Sequence, residues 1–108
     1  MRLRLFIISV LCFYGCSSFN DNNLTNTEKF QIAVDSFDNE KYQKAKEYFE
    51  EIVQNEQGTN LGLESTFHLA KTLYELKEYE EASYNFNYFS MFSKDIENVE
   101  YSQYMKSK

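Results

Sequence analysis

Residues 30–49 read FQIAVDSFDNEKYQKAKEYF and residues 67–86 read FHLAKTLYELKEYEEASYNF. Laid over one another at an offset of thirty-seven, they place Phe30 on Phe67, Ala33 on Ala70, Tyr42 on Tyr79, Ala45 on Ala82 and Phe49 on Phe86. Ile32 on Leu69 and Phe37 on Tyr74 are conservative matches. A period in the thirties signals stacked helical hairpins, because one hairpin cannot bury its apolar face alone. The matched residues have a packing logic. Ala33 and Ala70 sit where a second helix must cross a first one closely, and Ala45 and Ala82 return small residues to the same crossing. Tyr42 with Phe49, and Tyr79 with Phe86, lie two turns apart on one face of the second helix, where they plug the gap to the next unit.

The runs KYQKAKEYF (residues 41–49) and EYEEASYNF (residues 78–86) resemble the second helix of the tetratricopeptide repeat, x-Tyr-x-x-Ala-x-x-x-Phe. Two departures stand out. Neither repeat has the proline that usually closes that helix, and the spacing exceeds the usual thirty-four residues by three. The loop from Asn55 to Asn60, which holds Gly58, is expected to absorb the extra residues. The expected architecture is all-α: helices near 25–39, 41–54, 61–76 and 79–92 form two full hairpins of an α-solenoid. Thr25 with Glu28 has capping-box spacing and marks the first start. Ala45, Phe49, Ile52 and Val53 form the buried stripe of the second helix. A helix over 97–108 would be the first of a third repeat, with Tyr104 in the place of Phe67 and Ser107 in that of Ala70.

Residues 1–15 precede this domain and have the layout of a signal peptide. Arg2 and Arg4 form a positive start, Leu5 to Phe13 is an apolar run too short to span a bilayer, and Gly15-Cys16 follows at once. A glycine before a cysteine after such a run resembles the lipobox of bacterial lipoproteins, which implies that Cys16 is acylated and becomes the first mature residue. Cys12 would leave with the leader, so Cys16 would have no disulfide partner in the mature chain. Residues 16–24 then read as a lipidated polar tether and residues 25–108 as the repeat domain. Loss of Arg2 and Arg4 leaves nine of eleven basic residues against seventeen acidic ones, a formal charge near minus eight. A chain this acidic lacks the basic footprint that nucleic acid requires, and its membrane contact would come from lipid.

No catalytic constellation, cofactor site or metal site is legible. His68 is the only histidine, with no second histidine to complete a metal site and Cys16 expected to be acylated, and it reads as a partly exposed helical residue. Glu50-Glu51 and Glu80-Glu81 read as solvated faces, with Lys44 and Lys46 placed for pairs along the helix. Tetratricopeptide arrays bind peptides on the side lined by the first helix of each pair. The resemblance therefore implies a groove of Phe30, Val34 and Phe37, then Phe67, Lys71 and Tyr74, then Tyr101 and Tyr104. Each trio falls at i, i+4, i+7 on one stripe, whose aromatics serve equally well as core. Lys71 is placed to meet a terminal carboxylate.

The run VEYSQYMKS (residues 99–107), in an exported repeat chain with an acylatable cysteine, resembles the outer-membrane assembly lipoproteins of the BamD/YfiO family. A comparable Glu/Asp-Tyr-x-x-Tyr-Met-basic-small run stands at the same place in that family. The resemblance covers the mature chain and about the N-terminal half of a family member, which carries five repeats. It implies a non-enzymatic subunit, lipid-anchored at the periplasmic face of the outer membrane. Its expected partners are subunits of the β-barrel assembly machinery and unfolded outer-membrane proteins. A cell-envelope scaffold of the Tol-Pal type is the alternative, although such proteins carry a coiled coil before the repeats.

Overall fold

A computed structural model describes residues 23–107. The leader, Cys16 and most of the tether lie outside the described residues. Five α-helices follow one another: α1 Asn26–Asp38, α2 Tyr42–Asn55, α3 Asn60–Glu75, α4 Tyr79–Phe92 and α5 Ile96–Lys106, with no strand among the described residues. Each helix packs on the next, and α1 also touches α3, so the chain is a solenoid of antiparallel helical hairpins.

The first helices of the hairpins start on side-chain caps. Thr25 Oγ1 accepts from the Glu28 N–H at 3.1 Å, and the Glu28 carboxylate reaches back to the Thr25 N–H, so the expected capping box is complete. Thr59 caps α3 through the Gly62 N–H, and Asp95 caps α5 through the Asn98 N–H. The second helices need no such cap because they emerge from a tight turn that repeats residue for residue. Glu40 and Lys77 hold φ of 62° and 65°. The N–H groups of Glu40 and Lys41 donate to Phe37 and Ser36, and those of Lys77 and Glu78 to Tyr74 and Leu73. Both turns are complete Schellman motifs, built on residues other than the usual glycine.

The alanine reading holds, as Ala33, Ala45, Ala70 and Ala82 are all buried. Phe49 and Phe86 are fully enclosed, with Ile52 and Leu73, while Val53 is half-buried against the core. The repeat also governs ring contacts. Phe30 meets Phe49 edge-on at 5.8 Å and Phe67 meets Phe86 at 6.2 Å; Phe37–Tyr42 and Tyr74–Tyr79 both stand at 5.2 Å and 69°.

Three expectations are corrected. The extra residues of the period do not lengthen the loop. The helices end in register at Asp38 and Glu75, but α3 has 16 residues against 13 in α1, so the additional residues form an extra first turn of α3. Gly62 permits it: a Cβ there would stand 2.1 Å from the Glu56 carbonyl oxygen, so only glycine lets that turn lie against the end of α2.

The second correction concerns α5. Ser102 and Met105 are its buried residues, while Tyr104 is 59% exposed and Ser107 is exposed. From α3, His68 stacks on Phe49; from α5, it is Tyr101 that packs on Phe86. Because α5 lacks the extra turn of α3, its register advances by thirty-three residues, and Tyr104 falls level with Lys71 instead of Phe67.

The third correction concerns charge. Lys46 pairs with Glu78 at the start of α4 at 3.0 Å, and Glu51 pairs with Lys29 of α1. These pairs join helices instead of running along one. The Lys29 ammonium is largely covered, which makes its 2.6 Å contact a tie between the two helices of the first hairpin.

Candidate functional site: the face of the first helices

The capping turns and the alanine crossings fix how far α1 and α3 are rotated, and that rotation brings the two sequence trios together. Lys71 is the meeting point. Its Nζ lies 5.6 Å from the Phe37 ring centre and 5.1 Å from that of Phe67, so one ammonium of α3 sits over rings from both α1 and α3. Lys71 is only partly exposed, and burial pushes its pKa below the ordinary lysine value, with the Asp38 carboxylate pulling the other way. Among the described residues no carboxylate lies within ion-pair distance of it.

The other members divide into wall and rim. Phe67, at 6% exposure, belongs to the floor, where it also touches Phe89 at 4.8 Å and Tyr101 at 5.8 Å. Phe30, Val34, Phe37 and Tyr74 are half-buried and pack against the core. Tyr101 bridges Phe67 and Phe86, and burial raises its phenol pKa. Tyr104 is largely exposed on α5.

His68 is partly exposed, as its sequence position suggests, and is also a member of the aromatic cluster. It stacks on Phe49 at 5.5 Å, with Phe30 and Phe67 edge-on at 5.3 and 5.8 Å. Burial, seconded by the Lys71 charge, lowers its pKa to about 4, so the ring is neutral near pH 7. Its one-residue offset from Phe67 hid this, because a helix position beside an apolar one ordinarily faces away.

A second surface was not anticipated. Tyr84, Tyr88 and Phe92 recur every four residues along α4, and with Val53, Leu63 and Gly62 they line an open groove of about 590 Å³. Their counterparts thirty-seven residues earlier are Glu47, Glu51 and Asn55, a contrast that the sequence already contained. No group of three or more histidine, cysteine, aspartate or glutamate side chains is placed to hold a metal among the described residues. No protein-family model matches the chain, and no curated protein does either.

Proposed function

We propose that this chain is a lipid-anchored, tetratricopeptide-type interaction subunit at the periplasmic face of the outer membrane. Its role there is in β-barrel protein assembly, and it receives apolar segments of client or partner proteins on the face of α1, α3 and α5. The observation that carries the reading is Lys71. A cation held among rings, partly desolvated and without a carboxylate within ion-pair reach among the described residues, leaves favourable electrostatics unused until an anion arrives. A segment that ends in an aromatic residue and a free carboxylate offers both halves of the match: a ring for Phe37 and Tyr74, and a charge for Lys71. The membrane setting is supported by the leader and Gly15-Cys16, and the assembly role by the run at 99–107. In the fold that run places Tyr101 against Phe67 and Phe86 and buries Met105.

Fluorescence titration of a peptide with a C-terminal phenylalanine, as free acid and as amide, tests the reading. The free acid should bind more tightly by about 1 kcal/mol or more, and Lys71→Met should erase that preference while the fold is retained. Phe37→Ala and Tyr74→Ala should weaken both peptides with little loss of stability. Equal binding of acid and amide would remove the role of Lys71. Melting of Phe37→Ala and Tyr74→Ala as early as Phe49→Ala would make the stripe core and abolish the groove.

A further inference from the structure

Exposed apolar side chains are concentrated at one end of the solenoid. The hairpins are antiparallel, so the starts of α1, α3 and α5 and the finishes of α2 and α4 share that end. Asn26 Nδ2 donates to the Glu56 carboxylate at 2.9 Å, Asn55 donates to Asn26, and Asn60 and Phe92 line one groove. Here Met91, Phe92 and Ile96 are 66%, 57% and 74% exposed, with Tyr88 and Tyr84 behind them on α4. The opposite end presents Asp38, Glu40, Lys41, Glu75 and Lys77. Its large exposed side chains, Tyr79 and Tyr104, both carry a hydroxyl. Packing does not demand apolar residues at Tyr84, Tyr88, Met91 and Phe92, because the equivalent places in the first hairpin hold Glu47, Glu51, Gln54 and Asn55.

We propose that this end rests on the lipid surface, with Met91, Phe92 and Ile96 at the boundary of headgroups and acyl chains and Tyr88 and Tyr84 among the headgroups. The inference rests on the lipid anchor at Cys16, and the position of the tether selects lipid as the occupant. Thr25, where the tether meets α1, is at the same end. Nine residues from Cys16 to Thr25 span at most about 30 Å, and α5 lies two helix spacings from α1, about 20 Å. A membrane that holds Cys16 is therefore within reach of Phe92 and Ile96. Tethering makes the contact intramolecular, so a few apolar side chains suffice where they would fail alone. Aromatic rings favour this interfacial depth. A chain anchored at Cys16 has a formal charge near minus eight, which opposes anionic headgroups, so the contact is apolar and insensitive to salt.

The chain has no tryptophan, so one introduced ring reports alone. The lipidated protein carrying Phe92→Trp or Tyr79→Trp is reconstituted into phosphatidylcholine vesicles with brominated acyl chains. Emission from Phe92→Trp should fall about twofold relative to unbrominated vesicles, unchanged by salt, while Tyr79→Trp keeps its emission. Adding Ile96→Asp and Met91→Asp should restore the Phe92→Trp signal. Equal quenching at the two positions, or none at either, overturns the proposal. A dimer in sedimentation that Ile96→Asp dissolves also overturns it, since a second copy would then cover this end. Mass spectrometry for the acyl chains separates the two layers. Quenching without acyl mass would refute the anchor and leave the lipid contact standing, and acyl mass without quenching would do the reverse.

Discussion

The two hairpins agree inside and disagree outside. Phe49 and Phe86, Ala45 and Ala82, and the turns at Glu40 and Lys77 superpose in burial, ring geometry and backbone angle. On the outer stripe of the second helix, the first hairpin has Glu47, Glu51 and Asn55, and the second has Tyr84, Tyr88 and Phe92. A buried position is held by the volume its neighbours leave, and a change of one methylene is felt there. An exposed position is held only by polar contacts such as Lys29–Glu51 and Asn55–Asn26, which constrain volume far less and leave room for what a partner requires. Where two copies of one unit diverge, the divergence therefore points to surface function, and here it runs along α4 to the end where α1 begins.

The largest effect should come from the shared interior. Phe49→Ala and Phe86→Ala should each cost about 3–5 kcal/mol in denaturant unfolding, and by similar amounts, because each ring is fully enclosed by three helices of the same pattern. A gap between them of more than about 2 kcal/mol would show that the hairpins are not energetically equivalent, as end effects in a linear array would produce.

Acid should expose a difference next, because only the second hairpin contributes a histidine. The folded pKa of His68, about 4, lies below the unfolded value of 6.5. Between those values the unfolded chain binds a proton that the folded chain refuses. Stability is therefore intact above about pH 6.5 and falls as pH drops towards 4, by up to about 1.4 kcal/mol per pH unit. His68→Phe should flatten that part of the profile relative to the parent in melts from pH 7 to 4.5. Parallel profiles would mean that the ring charges without leaving the cluster.

The smallest effect belongs to the turns. A side chain at φ near +60° is strained by its Cβ, so Glu40→Gly and Lys77→Gly should each stabilise by up to about 1 kcal/mol, and equally. A gain in one turn and a loss in the other, read from midpoint shifts in urea, would show that one of these side chains makes a contact worth more than its strain.

The sequence by itself determined the period, the all-helical class, the alanine crossings, the enclosed phenylalanines and the Thr25 cap. Each of these is a local requirement, a small residue or a ring at a fixed helical spacing, and such requirements repeat when the unit repeats. It also determined the candidate trios, since i, i+4, i+7 is a property of one helix. Tertiary structure decided what depends on how helices dock. The extra turn of α3 exists because Gly62 can lie against the Glu56 carbonyl, a contact between segments that no periodicity encodes. α5 has no such turn, so Tyr101 is the residue that reaches Phe86 and Tyr104 comes level with Lys71. Docking also set Lys71 over rings from two helices and drew His68 into the aromatic cluster, because the rotation of α3 is fixed by what packs on both of its sides.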